Sequence, residues 1–168
     1  IDQCNNPLCN KVHISYNSCR NRHCPKCQGH LREQWIQARE ADLLNTKYFH
    51  VVFTLPDHLN ELALEKPALV YGLLFKTAWS TIRDFGCNPK LLGAKMGVVA
   101  VLHTWGQNLS LHPHLHCIVP AGGMTKSRKW KATNAKGKYL FPVKEMKKVF
   151  RARFVADLRK ETMLDKNI

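Results

Sequence analysis

No apolar run in this sequence approaches the roughly 20 residues that a helix needs to cross a bilayer, so a helical membrane span is not expected. The start, Ile1-Asp2-Gln3-Cys4, has no initiator Met and no signal peptide; the chain reads as entered in mid-sequence, a fragment of something longer. Residues 1–30 have little apolar periodicity and cannot build a core alone. Carboxylates are also scarce: 12 Asp and Glu face 26 Lys and Arg among 168 residues, a net charge of +14. Disorder is not indicated, because 45% hydrophobic and 23% charged residues are globular proportions. The length allows one domain or one domain with a small appendage.

The charge is unevenly spread. Residues 1–47 carry 7 basic and 4 acidic side chains, residues 48–123 carry 5 and 4, and residues 124–168 carry 14 and 4. The last third is therefore a polybasic surface of the kind that holds a phosphate backbone. A solubilising tail or an anionic-membrane contact would give the same count.

Cysteine is abundant and clustered. Of seven, Cys4, Cys9, Cys19, Cys24 and Cys27 fall in the first 27 residues. An odd number with no secretory signal argues against a disulfide framework and for a reduced cytosolic thiolate site. Cys24-Pro25-Lys26-Cys27 is a tight knuckle and Cys4-x4-Cys9 a looser one. Four thiolates close a tetrahedral structural Zn2+ site, and the ion would cross-link a segment too short to fold alone. The preferred ligands are Cys4, Cys9, Cys24 and Cys27; Cys19 could replace Cys9, or serve a second ion with His13 or His23. Arg20, Arg22, His23 and Lys26 lie between the ligands, so the ion would also fix a basic loop suited to DNA phosphates; solubility alone explains these residues equally well. Cys87 and Cys117 read as buried thiols.

Residues 111–120, LHPHLHCIVP, place three histidines two apart. In an extended strand, His112, His114 and His116 share one face while Leu115 points to a core. Paired imidazoles on a rigid strand can hold one divalent cation and leave positions open for substrate. Histidines on a solvated strand face are the plainer alternative.

Gly29 to Leu44 reads as a helix with a stripe of Leu31, Trp35 and Ala38, joining the cysteine segment to the next domain near residue 46. Tyr48 to Leu55 is a strand stopped at Pro56, and its His50 is expected in the core or bracing a metal ligand. Apolar residues at 3–4 spacing give a helix from Pro67 to Gly86, in which Trp79 is expected to pack. Met96 to Trp105 is a second strand, which a turn over Gly106 to Ser110 joins to the histidine strand as a hairpin. Thr125 to Lys138 reads as a mobile basic loop. There Trp130 could stack on an unpaired base while Lys129 and Lys131 hold phosphate, or could simply cover the sheet edge. Tyr139-Leu140-Phe141 is read as a strand. From Val143 a final helix buries Met146, Phe150, Phe154 and Leu158 and exposes Lys147, Lys148, Arg151 and Arg153 as DNA contacts. The fold class expected is α+β, an antiparallel sheet with helices packed on one face.

Four blocks in order carry a family resemblance. Leu102 to Gly123, LHTWGQNLSLHPHLHCIVPAGG, resembles the active-site hairpin of HUH endonucleases, in particular rolling-circle insertion-sequence transposases of the two-tyrosine type. SYNSCRNRHCPKCQ (15–28) resembles their zinc-binding domain, YFHVVFTLPDHL (48–59) their first nuclease strand, and FPVKEMKKVFRARF (141–154) the helix after the hairpin. The resemblance implies a zinc-ribbon-like domain with its connecting helix over 1–46 and an incomplete HUH nuclease over 47–168. It also implies nicking and rejoining of single-stranded DNA or hairpin ends of a mobile element by a tyrosine hydroxyl. His114 and His116 would hold catalytic Mg2+ or Mn2+, with His112, Gln107 or a downstream polar residue as third ligand. No membrane and no small-molecule cofactor are implied, and the setting would be a bacterial cytoplasm in association with the nucleoid. The family's nucleophile sits on a helix with two tyrosines four residues apart. Tyr16, Tyr48, Tyr71 and Tyr139 give no such pair, so no catalytic residue is assigned and the fragment is expected to be inactive alone.

Two rivals stand beside this reading. A non-catalytic zinc-ribbon DNA-binding module explains the cysteines and charge but leaves the histidines idle. A histidine-triad nucleotide hydrolase explains the histidines, but Gln107 and Pro113 break its motif and the cysteines gain no use.

Overall fold

The computed structural model describes residues 2–3, 6, 8–9, 11–13, 19, 24–106, 108–133 and 139–164; at 2, 3, 13, 25, 26, 163 and 164 it describes the backbone alone. The chain divides into two compact units, Ile1–Leu44 and Asn45–Ile168.

In the first unit, β1 (Asp2–Gln3) pairs antiparallel with β2 (Val12–His13). Helix α1 runs Pro25–Ala41, beginning four residues before the sequence suggests. The C-x-x-C segment supplies that start. Cys24 is the N-cap and its Sγ accepts the Cys27 N–H, while Pro25 takes the first helical turn, where a missing N–H costs nothing.

The second unit is α+β. Strands β3 (Tyr48–Thr54), β4 (Val99–Trp105) and β5 (Leu111–Pro120) form an antiparallel sheet in the order β3-β5-β4. The histidine strand is thus central, paired with β3 as well as with its hairpin partner. Between β3 and β4 come a 3-10 turn (Asp57–Leu59), α2 (Asn60–Glu65) and the long α3 (Pro67–Cys87). A second hairpin, β6 (Gly122–Met124) with β7 (Trp130–Ala132), precedes α4 (Val143–Leu164).

Period two divides the sheet into two faces. Phe53, Leu115, Cys117 and Val119 enter the core, where Leu74, Ala78 and Ile82 of α3 and Met146 and Phe154 of α4 meet them. Phe150 of α4 touches Phe53 with ring centroids 4.8 Å apart. The helices are clamped by Lys76–Asp157 at 3.0 Å and Arg153–Asp84 at 2.8 Å. The opposite face leaves Val52 and Ile118 in solvent at 44% and 42% exposure, so one face is core and the other is open.

Several local expectations are corrected. Leu140 and Phe141 form no strand; both are buried, and Phe141 lies 5.7 Å from Phe85 between ring centroids. The basic segment after Thr125 is partly ordered as β7, where the Trp130 ring lies over Gly122. A Cβ at Gly122 would come within 2.6 Å of that ring, so this position needs glycine. Trp130 therefore covers a hairpin, although it remains 41% exposed. Residues 134–138 lie outside the described residues. Cys117 is buried, and desolvation pushes its thiol up to about 11, but Cys87 is exposed at the end of α3 rather than buried.

Candidate functional site

The open face of the sheet is a grid set by register. Thr54, His114 and His103 lie side by side across β3, β5 and β4; Val52, His116 and Val101 form the next row; His50, Ile118 and Val99 the third. Three imidazoles converge in this grid. Ring centroids are 4.3 Å apart for His103 and His116, 4.8 Å for His114 and His116, and 5.4 Å for His103 and His114. One ligand atom from each lies within 4.8 Å of the other two, a spacing that one metal ion can bridge.

Two contacts orient these ligands. Nδ1 of His114 donates to the His112 carbonyl at 2.6 Å, which leaves its Nε2 free for a metal. His116 faces His50 through its own Nδ1 at 2.6 Å. Its pKa is held below the ordinary histidine value, chiefly by burial and then by His103, His114 and His50. A neutral imidazole is the form that binds a metal.

His114 and His116 are the residues singled out from the sequence, and the structure brings them together. His103 completes the group and was missed. The turn over residues 106–110 alone would set position 103 against 113; the register slip between His103 and Trp105 is what brings it to 114. His112 stays outside the group: its ring lies 5.3 Å from that of His114, and its Nδ1 is 3.5 Å from Asp57. Gln107 lies outside the described residues. Near this site β4 and β5 slip out of register between His103 and Trp105, opposite Pro113, which has no N–H to give the ladder.

In the first unit Cys19, Cys24 and Cys27 form a second group with ligand atoms within 4.8 Å, Cys19 and Cys27 Sγ being 3.6 Å apart. Cys9 is half-buried and lies outside this group of three, while Cys19, the alternative ligand, lies within it. Three soft thiolates suit zinc. Cys4, Arg20, Arg22 and His23, and the side chains of His13 and Lys26, lie outside the described residues. Lys129, Lys131, Lys147, Lys148 and Arg151 are exposed. Arg153 is a correction to the exposed basic face: it is half-buried, its Nη2 is engaged by Asp84, and its Nη1 is buried. Arg83 first, and then this guanidinium, hold the Asp84 carboxyl below its usual range, against the opposing effect of burial.

Comparison with known proteins fits this arrangement. Residues 1–55 match the family described as "Transposase zinc-binding domain" and residues 97–167 the family described as "Putative transposase". The chain is 49% identical over 153 residues to "Putative transposase y4qJ" of Sinorhizobium fredii, covering 90% of this chain and 38% of that protein. It is 35% identical over 128 residues to the "Transposase for insertion sequence element IS801" of Pseudomonas savastanoi pv. phaseolicola, covering 76% and 30%. The chain thus spans about a third of the curated relatives it matches. Among solved structures, the metal-bound conjugative relaxase TrwC in complex with OriT DNA superposes with a TM-score of 0.54 at 12% identity, over 66% of this chain and 42% of that one. TrwC complexed with a 27-mer comprising the recognition hairpin and cleavage site gives 0.52 at 15%, over 66% and 44%. At such identity the likeness is one of fold. The chain is a family-level homologue of insertion-sequence transposases, matching a transposase zinc-binding domain over residues 1–55 and sharing over 66% of its length the fold of a conjugative relaxase.

Proposed function

We propose that this chain belongs to an HUH transposase of the rolling-circle, two-tyrosine type that nicks and rejoins single-stranded DNA. A tyrosine oxygen attacks the scissile phosphorus, and the bond to the 3′ oxygen breaks. The 5′ phosphate stays esterified to the enzyme, and the 3′ oxygen leaves as a hydroxyl. Rejoining reverses the exchange with a new 3′ hydroxyl.

The observation that carries this reading is the convergence of His103, His114 and His116 on an uncovered sheet face. A divalent ion held there would polarise the scissile phosphate and offset charge in the pentavalent transition state. A three-imidazole set favours Mn2+ or another transition ion over Mg2+, which prefers oxygen ligands. The chain's own part is to hold the phosphate against an open site. None of its described tyrosines suits the nucleophile. Tyr48 pairs with Pro120, four residues from Val52 beside His116 and six from Thr54 beside His114, and so about 13 to 20 Å along β3 from the histidines. Tyr71 is in α3, and Tyr139 precedes α4. The nucleophile is therefore assigned to a tyrosine-pair helix outside these residues.

Residues 1–46 act as the zinc-stabilised DNA-binding part, and 47–168 as the metal-binding portion of the nuclease. Cys19, Cys24 and Cys27 are the zinc ligands, with a fourth from the other N-terminal cysteines or histidines. Lys129, Lys131, Lys147, Lys148 and Arg151 hold phosphates, with Arg20, Arg22 and Lys26 beside the zinc. The substrate is single-stranded or hairpin DNA at the ends of a mobile element, met at the bacterial nucleoid. A zinc-ribbon module without catalysis would leave the three histidines without a role.

The test is the full-length protein with single-stranded DNA carrying its element's end, and Mn2+. It should form a covalent protein–DNA adduct, identified by mass spectrometry on a tyrosine, and His114→Ala with His116→Ala should abolish it. An adduct that persists in the double variant would refute the reading.

A further inference from the structure

We infer that Trp105, with Leu109, forms a stacking seat for one unpaired nucleobase immediately beside the histidine site. The inference rests on the single-stranded DNA reading above and extends it to a second contact, with base rather than phosphate.

Trp105 ends β4, two residues after His103, so alternation puts both on the open face of the sheet. The register slip at this point is taken up on β5, across from Trp105, and leaves the alternation of β4 intact. The indole begins about 7 Å along the strand from a metal-site histidine, on the scale of one nucleotide. It is 58% exposed, and no aromatic contact partner is found for it among the described residues.

The neighbouring turn is built to hold an apolar side chain outward. Gly106 N–H donates to Ser110 O at 2.9 Å, and Leu109 N–H to Gly106 O at 3.0 Å. Asn108 Oδ1 accepts from both Ser110 N–H and Ser110 Oγ, at 3.2 and 2.6 Å. This network places Leu109 at φ 61, a left-handed conformation unusual for leucine, and leaves its side chain 79% exposed. A loop of polar residues would not require an exposed tryptophan before it and an exposed leucine within it.

The occupant follows from chemistry. A flat π surface accepts any base, because every base has a π face, and a chain of net charge +14 draws the backbone that carries it. With the phosphate at the histidines, the adjacent base is the group within reach of the indole. Stacking needs that base to be unpaired, so this seat would select single strands over duplex at the cleavage step.

The 168-residue chain tests this without catalysis. Wild type, Trp105→Phe and Trp105→Ala are titrated with a short single-stranded oligonucleotide and with copies carrying one abasic site, moved position by position. Zinc content and thermal melting confirm that each variant is folded. Trp105→Ala should weaken binding to the intact strand about tenfold and Trp105→Phe much less. One abasic position should cost wild type a similar factor and cost Trp105→Ala nothing further, while duplex affinity stays the same for all three. Equal binding of wild type and Trp105→Ala, or an abasic penalty that is the same in both, would overturn the inference and indicate that the tryptophan is covered by protein. If wild type binds no single strand, that first titration removes the DNA reading itself and this inference with it.

Discussion

Nε2 of His50 lies 2.6 Å from Nδ1 of His116, and the two ring planes differ by only 10°. With centroids 4.8 Å apart, nitrogens that close mean the rings meet edge to edge rather than face over face. One proton occupies such a contact. When it sits on His116 Nδ1, the remaining nitrogen of His116 is free to bind a metal, and His50 is the acceptor that holds that tautomer.

His50→Phe, which fills the space without a nitrogen, should therefore weaken Mn2+ binding by about tenfold or more. His50→Gln should recover part of the loss. Mn2+ titration followed by electron paramagnetic resonance makes the comparison. An unaltered affinity in His50→Phe would mean that the contact does not position His116.

The third ligand can be assigned by comparing His103→Ala with His112→Ala. The first should lower Mn2+ affinity as much as His114→Ala does, and the second should leave it nearly unchanged. Zinc content should be the same in all of them. The opposite ranking would restore His112 as the ligand.

Freshly purified, reduced protein should contain at least one zinc per chain. Cys19→Ser, Cys24→Ser and Cys27→Ser should each lower that content, measured by elemental analysis, and a strong chelator should unfold residues 1–30 before the rest. Full zinc retention in Cys19→Ser would return Cys9 to the ligand set.

Acid should weaken the metal-free fold through His116. Its folded pKa is lowered, so the unfolded chain takes up the proton first. The stability it supports is complete above the ordinary histidine pKa of ~6.5 and is lost as pH falls through the lower folded value. Urea midpoints at pH 7.5 and 5 should separate for wild type and separate less for His116→Gln. An equal separation would remove His116 as the cause.

Binding to single-stranded DNA should weaken with salt at a log–log slope of roughly −0.7 per neutralised phosphate. Charge reversal of Lys147, Lys148 and Arg151 should flatten that slope. Arg153→Ala should instead lower the melting temperature and leave the slope alone, because its partner is Asp84. A change in slope from Arg153→Ala would place that side chain on the DNA.

The sequence by itself determined whatever depends on local spacing. Alternating histidines put His114 and His116 on one face, because strand geometry allows nothing else. Apolar spacing gave α3 and α4, and Cys24-Pro25-Lys26-Cys27 brought two thiols together across one turn. Tertiary structure decided the contacts between distant segments. His103 joined the site through hairpin register, a property of two strands at once, and His50 reached His116 from a strand 66 residues away in the chain. Arg153 looked like any exposed basic residue of a helix until α3 presented Asp84 to it. Spacing fixes which side chains share a face; only packing decides which faces meet, because the free energy of a long-range contact depends on residues that no local window contains.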